Sequence, residues 1–100
     1  MDSKLDARTG LVIALPKEVE PYREDIRRFL DAMVYKLKVH HRKGRWEGKT
    51  VEEYMPLLHD EVRELIEATE GGNLIEVLTE AADVANMAMI VASIVVERGK

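Results

Sequence analysis

Apolar residues in this chain fall into two helical stripes followed by one nearly continuous run. Ile26, Phe29, Leu30, Met33, Val34 and Leu37 follow the i, i+3, i+4, i+7 template, with Arg27, Arg28, Asp31 and Lys36 assigned to the other faces. This predicts a first helix that opens near Pro21, a residue suited to the first helical position, and fades over 41–43 ahead of Gly44. Residues 44–49 form a loop with two glycines. Thr50-x-x-Glu53 reads as a capping box that opens a second helix, with Leu58, Val62, Leu65 and Ile66 as its apolar stripe. Pro56 is expected to kink or restart that helix, and Gly71-Gly72 ends it. Asn73-x-x-Glu76 caps a third helix that runs to about Glu97.

Between 81 and 96 only Asp83, Asn86 and Ser93 are polar. A helix that is apolar nearly all round must be covered on nearly all sides. Two partner helices in a chain of 100 residues can hardly do that. The expected fold class is therefore all-α: an antiparallel helical bundle with three main helices per chain, completed by oligomerisation as a homodimer or homotetramer. Residues 1–20 read as an N-terminal arm, in which Gly10 and Pro16 bracket a short extended piece or docking tail, Leu11–Leu15. Residues 21–98 read as the helical domain.

Composition narrows the chemistry. Apolar residues at 46% exclude disorder. The absence of Cys excludes disulfides and thiolate–zinc sites. Di-iron bundle chemistry wants ExxH pairs, but His40, His41 and His59 follow Leu37, Lys38 and Pro56 at that spacing. Net charge is −4 and unevenly spread. Lys36, Lys38, Arg42, Lys43, Arg45 and Lys49 face only Glu47 within residues 36–49, whereas residues 50–97 hold eleven acids and one cation, Arg63. A basic segment beside an acidic one suits a polyanion that metal bridges to carboxylates. It argues against general nucleic-acid binding, because the acidic half repels a phosphate backbone. The run 81–96 is shorter than a bilayer span and is interrupted by Asp83 and Asn86, and no secretory apolar region stands near the start. A soluble, cytoplasmic protein with no membrane partner is expected.

Asp83 carries the chemical signal. An ionised carboxylate in so apolar a helix is costly unless something pairs with it. Glu80 lies three residues before it, and Glu61 and Glu64 repeat that spacing on the second helix. The turn between the two helices is short, so they pack antiparallel, and residues 61–64 and 80–83 lie about equally far from it. The two acid pairs are thus expected to face each other across the groove. A divalent cation removes their mutual repulsion. Mg²⁺, with Mn²⁺ as an alternative, takes oxygen ligands and leaves positions for water or phosphate. The competing reading is that Asp83 caps a neighbouring helix or pairs with Arg27 or Arg63.

Asp60-Glu61-x-x-Glu64, fifteen residues, then Glu80-x-x-Asp83 resembles the EExxE…ExxD signature of the MazG-like all-α nucleoside triphosphate pyrophosphohydrolases. The similarity extends through Glu80-Ala-Ala-Asp83-Val-Ala-Asn86-Met-Ala-Met and includes the approach Lys38…Arg42-Lys43-Gly44-x-Trp46 of small phage and archaeal members. It spans roughly residues 25–95. The resemblance implies conversion of a (deoxy)nucleoside triphosphate and water to the monophosphate and diphosphate. It also implies Mg²⁺, dimers or tetramers, and Glu61, Glu64, Glu80 and Asp83 as catalytic metal ligands. Asp60 departs from the family's first Glu by one methylene.

Around that core, Lys38, Arg42, Lys43 and Arg45 are candidates for gripping phosphate oxygens, against a solvated basic helix end. Trp46 is a candidate for stacking on a base, against a core anchor that pins its loop. Asn86 is a candidate for orienting a ligand carboxylate or contacting sugar or base, against an interhelical hydrogen bond at an oligomer interface. Three functions are compatible: nucleotide-pool cleaning by a pyrophosphohydrolase, a specialised relative acting on phosphoribosyl-ATP or pyrimidine dNTPs, or a helical oligomer that binds metal or nucleotide without turnover.

Overall fold

The computed structural model describes residues 14–40 and 44–99. The expected tail segment 11–13 and the candidates Arg42 and Lys43 lie outside the described residues. Helix α1 spans Arg23–Val39. It opens two residues later than expected, because Lys17–Tyr22 winds as a 3₁₀ turn with Pro21 inside it. An ion pair of 2.6 Å between Glu20 and Arg23 bridges this turn to the helix. Lys36 and Lys38 in the last turn suit the negative end of the helix dipole.

Both predicted capping boxes form. The Thr50 hydroxyl accepts from the Glu53 N–H at 3.2 Å, while the Glu53 carboxylate accepts from the Thr50 N–H at 2.9 Å. Helix α2 then runs over Val51–Gly71. Asn73 and Glu76 exchange the equivalent bonds at 2.9 and 3.2 Å, and helix α3 runs over Leu74–Arg98. Pro56 does not divide α2. It removes one rung, the bond to the Glu52 carbonyl, while its exposed ring faces solvent.

The apolar stripes depart from expectation in an informative way. On α1, Ile26, Phe29, Leu30, Met33 and Val34 are half-buried as expected, but Leu37 is exposed and Ala32 is the buried residue. Lys36, assigned above to an outer face, is half-buried against α3. On α2, Val62 and Ile66 are 38% and 51% exposed. The half-buried stripe there runs Tyr54, Leu58, Glu61, Leu65 and Ala68. Its alternating spacings of four and three pass through Glu61 instead of Val62, so an acid occupies a position that periodicity reserves for the core.

Helix α3 is the centre of the fold. Both α1 and α2 pack on it, and among the described residues α1 and α2 do not touch each other. Met33 and Lys36 of α1 meet Asn86 and Asp83 of α3, ascending in one helix and descending in the other, so α1 is antiparallel to α3. The two-residue link Gly72-Asn73 makes α2 antiparallel to α3 as well. Few apolar side chains are buried: Ala32, Ala82 and Ile94 among the described residues. A stripe on α3 has spacings of four and three: Leu74, Leu78, Ala81, Ala85, Ala88, Ala92 and Val95. Leu74, Ala88, Ala92 and Val95 on it are exposed.

Helix α3 extends past the run 81–96 at both ends. At 25 residues it is long and apolar enough, by length and composition alone, to cross a bilayer, although the run 81–96 is not. Its polar residues Glu80, Asp83 and Asn86 meet partners on α2 and α1, an arrangement compatible with a soluble bundle.

Candidate metal centre

Glu61 and Glu64 on α2 and Glu80 on α3 each offer a carboxylate oxygen, and these three oxygens lie within 4.8 Å of one another. The i, i+3 spacing sets Glu61 and Glu64 on neighbouring turns of one helix, and the short α2–α3 turn brings Glu80 to their level. Ligand oxygens around Mg²⁺ lie about 4 Å apart or less, a change within reach of side-chain rotation. Two of the oxygens present are buried without a hydrogen-bond partner, Glu61 Oε1 and Glu80 Oε1. Buried polar atoms are ordinarily satisfied, so an all-oxygen set with two orphaned acceptors fits a hard divalent cation.

The electrostatics point the same way. Burial raises the Glu61 carboxyl above its usual value, and the negative charges of Asp83, Glu64 and Glu80 raise it further. Burial likewise raises Glu80, with added repulsion from Glu64 and Asp83 and a side-chain hydrogen bond with Glu64. Lys36 opposes both shifts. Toward the α2–α3 turn the acids continue into a groove of about 300 Å³ lined by Glu64, Glu67, Gly72, Glu76 and Glu80, among others. A phosphate chain enters such a groove only with cations to screen it.

Asp83 is not one of the three converging acids. Its Oδ2 lies 3.3 Å from the Lys36 ammonium on α1, with both side chains about four-fifths buried. The alternative of an arginine partner thus fails as to residue: Arg27 pairs with Glu24 and Asp31, and Arg63 with Asp60 and Glu67. Asp60 is accordingly an exposed ion-pair partner standing apart from the three-acid group. Asn86 is 7% exposed. Its Nδ2 donates to the Met33 carbonyl at 3.1 Å, and its Oδ1 is buried without a partner. It is an interhelical bond within one chain.

No family model, no curated protein and no solved structure matches this chain.

Arg45 and Trp46 lie elsewhere. The Arg45 guanidinium sits 4.1 Å from the centre of the Trp46 ring and bonds to Glu97 at 2.9 Å, with Glu47 as a further partner. Trp46 is half-buried and its Nε1 is buried without a partner. Glu97 stands seventeen residues beyond Glu80, about 25 Å along the helix axis. One chain therefore does not carry the indole to the acids. Lys38, in the last turn of α1, is exposed. The residue that sequence reasoning missed is Lys36. It follows Phe29 and Met33 by seven and three positions, on the buried stripe of α1, and that phase marks it as inward-facing.

Proposed function

We propose that this protein is a Mg²⁺-dependent nucleoside triphosphate pyrophosphohydrolase that cleans or balances the cytoplasmic nucleotide pool. The supporting observation is the convergence of Glu61, Glu64 and Glu80, two of them with buried, unpartnered oxygens. The EExxE…ExxD-like spacing supplies the reaction class. Were Mg²⁺ bound there, it would neutralise charge on the phosphates and activate water. The carboxylates of Glu61, Glu64 and Glu80 would hold the ion between α2 and α3. Water oxygen bonds to the α-phosphorus and its proton passes to solvent, the bond from that phosphorus to the α–β bridging oxygen breaks, and diphosphate leaves. Lys38, with Arg42 and Lys43, is assigned to the outer phosphates. A second copy is assigned to the exposed α3 stripe, whose small residues allow close helix approach.

A product assay over NTPs and dNTPs, with and without Mg²⁺, tests this reading. The expected products are monophosphate and diphosphate, with no orthophosphate, and only when the ion is present. Turnover restricted to phosphoribosyl-ATP or pyrimidine dNTPs identifies a specialised relative. The separation of Trp46 from the acids favours one other reading, a metal-binding helical oligomer without turnover. Metal-stabilised assembly with no diphosphate released from any triphosphate selects it and rejects the enzyme.

A further inference from the structure

We propose that Lys36 is the resident counter-ion of this site: its ammonium holds Asp83 out of the ligand set, leaving three carboxylates to meet the metal ion. The inference rests on the ion-site reading above. Four observations support it. Asp83 is the acid whose negative charge most strongly raises Glu61, so it stands beside the cluster, yet it is absent from the three converging oxygens. Its Oδ2 is 3.3 Å from Lys36 Nζ, and the two side chains are 18% and 21% exposed. One helical turn away, Asn86 donates to the Met33 carbonyl at 3.1 Å, so a second rung between the same two helices fixes the register of the pair. The other cations named as partners for Asp83, Arg27 and Arg63, are bonded to acids of their own helices.

The chemical consequence is a weak ion site that is completed by substrate. Mg²⁺ held by few carboxylates keeps its remaining positions for water and phosphate oxygens. A fourth free carboxylate would tighten the ion in the absence of substrate and add repulsion toward the phosphates. Lys36 prevents both by occupying Asp83. It acts through Asp83, as a positioning residue.

Mn²⁺ titration calorimetry on the full chain, without nucleotide, tests this directly. Lys36→Met is expected to bind Mn²⁺ at least about tenfold more tightly than wild type, since it relieves the direct repulsion between ammonium and ion and also frees the Asp83 carboxylate as a ligand. Lys36→Arg should bind as wild type does. In an Asp83→Asn background, Lys36→Met should tighten binding clearly less than it does beside native Asp83, because the direct repulsion between ammonium and ion is still relieved but no masked ligand is released. A merely structural role for Lys36 would not produce that pattern. Circular dichroism checks that each variant folds, and Lys36→Gln replaces Lys36→Met should the latter unfold. Wild-type Mn²⁺ binding that is unaltered in the neutral Lys36 variant overturns the inference while leaving the ion site standing. No Mn²⁺ binding by either protein removes the ion site and the inference together.

Discussion

Glu80 joins two properties that seldom coincide at a surface carboxylate: a buried, unpartnered oxygen and a raised proton affinity. Glu80→Gln keeps the shape and removes the charge. Under the proposed function it should lower Mg²⁺-dependent diphosphate release roughly 100-fold or more while helicity is retained. Normal turnover in a folded Glu80→Gln protein would reject the ligand assignment. The raised carboxyls of Glu61 and Glu80 also set a pH dependence. A group whose folded value lies above its unfolded value binds protons better in the native state, so its contribution is complete at low pH and lost as pH rises. The ion-free protein should therefore melt at falling temperatures as pH climbs from the ordinary carboxyl value of 4.5 through the raised values. Saturating Mg²⁺ should flatten that fall, since the ion replaces the protons. A melting temperature equally pH-dependent with and without Mg²⁺ would contradict the site. Sequence spacing made all four acids legible. It did not name Lys36 as the partner of Asp83, because the partner of a buried charge is chosen across helices, although the phase of Lys36 on α1 marks it as inward-facing.

Helix boundaries are the most local feature of this chain, and they were the most legible. Each capping box closes within four residues, so Thr50/Glu53 and Asn73/Glu76 declare themselves in the sequence. Asn73→Ala should destabilise the protein by about 1 kcal/mol, read as a lower urea midpoint at unchanged slope. The adjacent glycines behave differently. A Cβ at Gly72 would stand 2.7 Å from the Ala68 carbonyl oxygen and 2.8 Å from the Glu76 carboxylate, whereas one at Gly71 meets nothing within 4 Å. Gly71 is the last residue of α2, so Gly71→Ala should leave stability equal or raise it by up to about 1 kcal/mol. Gly72→Ala should lower it by roughly 1–3 kcal/mol. Paired chemical melts separate the two, and equal effects would contradict the tight turn. Nothing in Gly71-Gly72 as a sequence distinguishes them, because the difference is the approach of a backbone carbonyl in space.

At the scale of the molecule, among the described residues α1 and α2 flank α3 without meeting each other, and Leu74, Ala88, Ala92 and Val95 of α3 are exposed. Burying Leu74, Ala88, Ala92 and Val95 against a second copy removes apolar surface from water at about 25 cal/mol per Å². Under the proposed assembly, Ala88→Glu should shift the protein to monomer in sedimentation without loss of helicity. An unchanged sedimentation coefficient would place the interface elsewhere. By itself the sequence determined the all-α class, the cap positions and the acids available for a cation, since each depends on contacts within one or two helical turns. Tertiary structure alone decided which face of α2 turns inward, that Glu61 takes a core position in place of Val62, that Asp83 is claimed by Lys36, and that Trp46 stands far from the acids. Those outcomes depend on helix rotation and register, which are set by packing among segments distant along the chain, and periodicity within one segment does not encode them.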